Sequence, residues 1–215
     1  GARSCKSPYR GTLQPFALIT LGWSGKGDVK TLTQGEWAGP GVALRGPGLF
    51  CGYYLNELLV KFLHRHDPHE RLFDRYLQCI HQLLEDDEQE TALRCFEKVL
   101  LEEIGYGLQL ERDQTSGERV NPDSCYRYRP GLGAFIDGNG ERVGIPVHGD
   151  SLIALRRETG FGEREKREIK HLHRMIFQGL LEGRSLVSRS VYSQLYPTDR
   201  VLADGSAASA QEAHR

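Results

Sequence analysis

The segment Gly1–Leu32, GARSCKSPYRGTLQPFALITLGWSGKGDVKTL, decides how the rest of the chain is read. Its apolar, β-prone run Leu13–Trp23 is followed by Ser24-Gly25-Lys26-Gly27-Asp28, which supplies turn chemistry, and Val29–Thr33 returns as a second strand. Arg3, Lys6, Arg10, Lys26 and Lys30 stand here against a single acid, Asp28, and are interleaved with Tyr9, Phe16 and Trp23. Cations for phosphates and flat rings for unstacked bases on a β surface suit single-stranded nucleic acid. The glycines would let phosphates approach backbone N–H groups. The plainer reading is that lysines on a hairpin protect an open edge and rings in a β layer form core.

Outward from this ribbon, Gly35–Gly48 is rich in Gly and Pro and reads as a linker. The period then becomes helical. Leu55, Leu58, Leu59 and Phe62 mark one face of a first helix. Asp67-Pro68 with Glu70 reads as a capped start for a second, whose stripe runs through Leu72, Phe73, Tyr76, Leu77, Ile80 and Leu83. A third helix carries Leu93, Phe96, Val99 and Leu100 and stops at Gly105. Residues 111–149 are less regular. Asp137-Gly138-Asn139-Gly140 there predicts a hairpin joining Ala134–Ile136 to Arg142–Ile145, and Tyr126-Arg-Tyr-Arg129 reads as an edge strand. Asp150 suits a cap for a helix through Arg156. Helices over about 163–181 and 187–195 follow, and the tail from Asp199 is small, polar and predicted disordered.

Charge is uneven along the chain: residues 1–45 carry net +4, residues 46–115 net −7 and residues 116–215 net +2. A basic N-terminal face followed by an acidic middle points to partners of different sign. No apolar run approaches the roughly 20 residues of a membrane span. The five cysteines are scattered, with no C-x-x-C pair, which suggests neither a disulfide framework nor a zinc knuckle. That usage favours a reducing, cytoplasmic setting.

Catalytic signatures are thin. The chain lacks the G-x-x-x-x-G-K-[ST] cradle, the G-x-S-x-G elbow and H-E-x-x-H. Gly46–Gly52 is glycine-rich but lacks the Lys and Ser/Thr that hold phosphate, and reads as a turn. His64, His66, Asp67 and His69 place three imidazoles and a carboxylate within six residues, a donor set for a divalent metal. A helix–helix turn with exposed histidines explains the same residues without one.

Seven short motifs in register resemble the bacterial RecO family of recombination mediators. They are GARS with LQPF (Gly1–Ser4, Leu13–Phe16), GKGDVKTL (Gly25–Leu32), Y-x-NELL (Tyr54–Leu59), ALR-x-FE (Ala92–Glu97), IGYG (Ile104–Gly107), YRYR (Tyr126–Arg129), and Arg174-Met175 with Ser188-Arg189. The resemblance implies an N-terminal OB-fold, a central helical domain and a small region that binds zinc in some members. It implies no covalent catalysis. The expected activity is binding single- and double-stranded DNA, annealing complementary strands, and acting with RecR to load RecA onto strands coated with single-strand binding protein (SSB), whose C-terminal tail is a docking partner.

The expected fold class is therefore α+β: a partial N-terminal OB-fold, then a mainly α-helical domain with a small β insertion. Residues 1–45 would be the C-terminal part of the OB-fold and 46–110 the first part of the helical domain. Residues 111–149 would form the insertion, 150–198 the C-terminal helical part, and 199–215 the tail. Arg3, Lys6, Arg10, Lys26 and Lys30 are the expected DNA contacts. Arg94, beside the apolar face of ALRCFE, is the candidate partner for the tail carboxylate. Zinc-binding members carry paired cysteines in the stretch corresponding to Asp113–Val147, where this chain has only Cys125, so neither zinc nor another cofactor is expected. The family's OB-fold begins about three strands upstream of GARS, and a five-stranded barrel does not close from one hairpin; the sequence accordingly reads as a fragment or truncated form. The expected setting is cytoplasmic and nucleoid-associated, with no membrane contact. Two alternatives stand beside this reading: a metal-dependent phosphodiesterase or nuclease using His64, His66, Asp67 and His69, and a chain that retains only protein docking.

Overall fold

Alternation of β-branched, aromatic and small residues gives the N-terminal segment its strands. In the computed structural model, which describes residues 7–138, 143–196 and 201–202, β1 (Ile19–Ser24) pairs antiparallel with β2 (Thr31–Trp37). The register sets Ile19 against Trp37, Leu21 against Gly35 and Trp23 against Leu32, with a bulge at Gly22/Trp23. β1 begins later than the apolar run suggested. Phe16 adopts a left-handed φ of 61°, which breaks the extended backbone just before it. Tyr9 lies over Gly35, where an added Cβ would stand 3.2 Å from its ring, and donates its hydroxyl to the Thr33 carbonyl at 2.7 Å. The chain divides into two units, Gly1–Gly46 and Pro47–Arg215. The ribbon belongs to the first.

The second unit is built on α3 (Gln89–Glu103), which is buried on almost every side. Against it pack α2 (Glu70–Gln82), α4 (Gly149–Arg157) and α5 (Glu163–Leu180), while α1 (Gly46–Phe62) reaches it through Tyr54 and holds the start of α6 (Val187–Leu195) through Glu57. The chain is thus α+β, an OB-like β portion followed by a helical body. The glycine-rich Gly46–Gly52 stretch is the start of α1 rather than a turn. Pro47 is tolerated there because first-turn N–H groups lack intrahelical partners. Gly48 is required by packing, since a Cβ would stand 2.6 Å from the Leu83 carbonyl oxygen. α2 starts at Glu70 with His69 at its N-cap and no side-chain cap, so the expected Asp67-Pro68 start is displaced. Leu72, Cys79 and Ile80 face inward from α2 while Phe73 is exposed. Gly105, φ 85°, ends the run after α3 as its position predicted. The tail expected from Asp199 lies outside the described residues except for Val201 and Leu202. Leu202 is buried, and its carbonyl accepts from Arg189 Nε.

β3 (Cys125–Arg129), β4 (Gly133–Ile136) and β5 (Ile145–His148) form a three-stranded sheet of order β4-β3-β5. Tyr126-Arg-Tyr-Arg129 is therefore the central strand, not an edge, and β4 pairs with β3 rather than with the segment after Asp137-Gly138. The reason is local. Tyr126 and Tyr128 are both buried, and their hydroxyls accept the backbone N–H of Asn121 (2.8 Å) and Gln109 (3.1 Å). Two phenols that reach loop donors need partners on both flanks to bury them. Asp113 ties the approach to this sheet, its carboxylate accepting the N–H groups of Thr115, Ser116 and Ile136.

β5 runs straight into α4 with no loop. The first N–H groups of a helix have no intrahelical acceptor, and here each finds one. His148 N–H goes to Glu168 (2.9 Å), Gly149 N–H to the Ser124 carbonyl (2.9 Å), Asp150 N–H to the Pro122 carbonyl (3.2 Å) and Ser151 N–H to Asp150 Oδ1 (2.8 Å). Only glycine fits at 149, because a Cβ would stand 1.8 Å from the Asn121 carbonyl oxygen. Gly149→Ala is expected to cost about 3 kcal/mol, the upper end for overpacking. Gly179→Ala, where a Cβ meets nothing within 4 Å on α5, is expected to stabilise by about 0.5–1 kcal/mol. Chemical denaturation of the two variants measures the contrast.

Candidate nucleic-acid interface

The β1–β2 turn projects the cations. Lys26 and Lys30 are exposed on it, and Lys30 Nζ donates to the Gly25 carbonyl at 3.1 Å, which tightens the loop. Gly25 carries φ 117°, a conformation side chains rarely adopt. Arg10 is exposed on the preceding turn beside Tyr9. Arg3 and Lys6 lie outside the described residues. The three rings have different fates. Tyr9 is committed to Gly35 and Thr33, and Phe16 sits half-buried at its left-handed turn. Trp23, 62% exposed, shares a ribbon face with Trp37, 50% exposed, and Leu21. The described hairpin thus offers two exposed cations, Lys26 and Lys30, and two part-exposed indoles, with Arg10 on the turn before it. Trp37 was missed in the sequence because its neighbours Gly35 and Gly39 place it in what reads as a linker.

The remaining candidates fall elsewhere. Arg94 is 3% exposed and pairs with Glu97 on the same helix, Nη1 to Oε2 at 3.0 Å. Its guanidinium is inside the helical core, so it presents nothing to a carboxylate arriving from outside. Glu97 Oε2 also accepts from His173 Nδ1 at 2.7 Å, and Oε1 from the Tyr54 hydroxyl at 2.6 Å. Burial alone would raise the Glu97 carboxyl. Arg94, with the His173 and Tyr54 hydrogen bonds, outweighs it and holds the pKa at about 2. Burial pushes the His173 imidazole below its ordinary value, against the pull of Glu97. In the sequence Glu97 stands out only as the end of the Ala92–Glu97 motif, and His173 only as half of a His171-Leu-His173 pair whose rings point apart on a helix; nothing there joins the two. The available signal was a polar residue set on an apolar stripe, beside Phe96 in one case and Leu172 in the other.

The histidine cluster does not converge. His69 Nδ1 lies 3.0 Å from Glu103 Oε2 and its Nε2 3.4 Å from Asp67 Oδ2. His66 takes a left-handed φ of 68° in the connection. Among the described residues no group of three or more His, Cys, Asp or Glu is placed to share an ion, and no helix is long and apolar enough to cross a membrane.

Comparison with known proteins marks the class: a protein of DNA recombination and repair. Residues 46–190 match the family model "Recombination protein O C terminal". Relatives named "DNA repair protein RecO" align over most of the chain. That of Dechloromonas aromatica is 41% identical over 91% of this chain and 81% of its own length. Those of Methylococcus capsulatus and Halorhodospira halophila are 42% and 44% identical, over 89% and 87% of this chain and 78% and 80% of their own lengths. The chain belongs to the RecO family.

The buried network makes a pH prediction. Glu97 and His173 both bind protons more weakly folded than unfolded, so their contribution is complete above the unfolded values of 6.5 and 4.5. It is lost on acidification, first as the unfolded-state histidine charges, then as pH falls from 4.5 towards 2. His173→Asn keeps a donor near Nδ1 and removes the first titration. It is expected to flatten the loss of melting temperature between about pH 7 and 5.5, as measured by calorimetry, and an unchanged slope would count against it. Glu97→Ala, which strands Arg94, is expected to cost about 3–5 kcal/mol.

Proposed function

We propose that this chain is a non-enzymatic mediator that binds DNA through the ribbon and anneals complementary single strands. The observation that carries the reading is family membership across most of the chain, joined to a ribbon whose Arg10, Lys26 and Lys30 are exposed beside Trp23. The lysines would take phosphates and the open indole would stack on an unpaired base. Arg3 and Lys6 complete the cationic set in this reading. Through the family resemblance, the chain acts with RecR to help load RecA onto strands coated with SSB, docking on that protein's C-terminal tail through the helical unit. Catalysis is not required of any residue: the ribbon binds, and pairing is done by the strands themselves once held together and partly neutralised.

The double substitution Lys26→Glu/Lys30→Glu tests the face. Each phosphate contact to a single strand contributes about 0.7 to the slope of log affinity against log salt. The variant is expected to bind an oligonucleotide more weakly and to flatten that slope by about 1.4, read by fluorescence anisotropy across a salt series. A slope equal to wild type would remove the turn from the interface. Trp23→Ala is expected to lose about 1–3 kcal/mol of single-strand affinity with little change in slope, because stacking releases no counterions.

A further inference from the structure

The β3·β5 register sets Cys125 directly opposite His148, which places their Cβ atoms about 4.5–5.5 Å apart. His148 Nδ1 lies 2.5 Å from Glu168 Oε1, and the other carboxylate oxygen of Glu168 accepts from Ser151 Oγ and His148 N–H. An ionised carboxylate only accepts hydrogen bonds, so Nδ1 carries the proton and Nε2 is the basic nitrogen. Burial would raise the Glu168 carboxyl, but those hydrogen bonds hold it below the usual range. Cys125, His148 and Glu168 line one cavity of about 330 Å3, with Asp137, Arg167 and His171. That volume suits a small molecule. The acids are engaged, Asp137 by Arg127 at 2.9 Å and Glu168 as above. Arg167 has no carboxylate partner among the described residues.

We propose that Cys125 is a thiol-exchange site for small anionic disulfides, with His148 as its base, Glu168 holding the imidazole and Arg167 receiving a carboxylate of the ligand. The thiol proton passes to His148 Nε2, and the Cys125 sulfur attacks one sulfur of R–S–S–R. The new S–S bond forms as the old one breaks. The departing thiolate takes the proton from the imidazolium and leaves as R–SH, so Cys125 is oxidised to the mixed disulfide while half of the small disulfide is reduced. Excess thiol reverses the step. Among the described residues the fold confines this chemistry to one place. Cys51, Cys79 and Cys95 are buried, and burial pushes Cys95 up to about 11 and Cys79 well above its ordinary value, away from the thiolate.

The test uses the full chain carrying Cys5→Ser, with oxidised glutathione as probe and intact-mass and peptide mapping over a pH series. The expected result is one glutathionyl adduct, on Cys125, removed by dithiothreitol. His148→Asn is expected to slow its formation at pH 7 by about tenfold or more and to change the shape of the pH profile, since the imidazole is the proton acceptor. Arg167→Gln is expected to raise the glutathione concentration for half-maximal rate while leaving the rate with uncharged hydroxyethyl disulfide unchanged. Reaction no faster than in the urea-unfolded chain, or a wild-type pH profile in His148→Asn, overturns the site. Equal effects of Arg167→Gln on both disulfides overturn the anionic class.

Discussion

The carboxylate of Glu97 is the constraint on which the helical unit depends. It is fully buried on α3 and meets Tyr54 from α1, Arg94 from its own helix and His173 from α5. Such a cluster is costly to desolvate, and an apolar set of equal volume can be as stable. Its effect is geometric. Ion and hydrogen-bond geometry at 2.6–3.0 Å admits one arrangement of three helices, whereas leucine and isoleucine stripes admit several. Arg94 Nε and His173 Nε2 find no protein partner among the described residues, so the network's order comes from Glu97 alone. Removing any member leaves a charge or donor stranded.

A second theme is that helix ends are served from a distance. α4 and α6 have no side-chain cap at their N-cap residues. Glu57 on α1 accepts the N–H groups of Val187 and Ser188 and the Ser188 hydroxyl. Glu168 on α5 does the same for the start of α4. Both carboxyls are held below their ordinary range by these bonds, although burial works against it. A local cap stabilises a helix wherever it lies. A remote one stabilises it only when docked, so docking and capping become one event. Glu158 adds a lateral tie, its carboxylate held between Arg75 of α2 and Lys98 of α3 despite a left-handed φ of 58°.

Periodicity made α3, α5 and α6 legible, because Leu93, Phe96 and Leu100, or Ile169, Leu172 and Ile176, recur at helical spacing on faces that are in fact buried. It failed where glycine served packing rather than turning. Gly48 reads as loop and is helix, because the constraint on it comes from Leu83, distant in sequence. The sheet order was hidden for the same reason: Tyr126 and Tyr128 are central because of partners at Asn121 and Gln109, and alternation alone does not say how many neighbours a strand has. Of the site, the basic turn was legible as composition. The exposure of Trp37, the burial of Arg94 and the Cys125–His148–Glu168 alignment all depend on register and packing, which no spacing rule encodes.

The absence of a loop between β5 and α4 has a mechanical consequence. The peptide between His148 and Gly149 belongs at once to the ladder with β3 and to the first turn of the helix, and both sides are pinned by Glu168 of α5 and Ser124 ahead of β3. Neither half can slip a residue without dragging the other. The small sheet, α4 and the first half of α5 therefore open and close together as a single cooperative block, with hydrogen-exchange protection rising and falling in unison across it. A sheet of three short strands, at the lower limit of what persists alone in water, is thereby given the lifetime of the helices it is welded to.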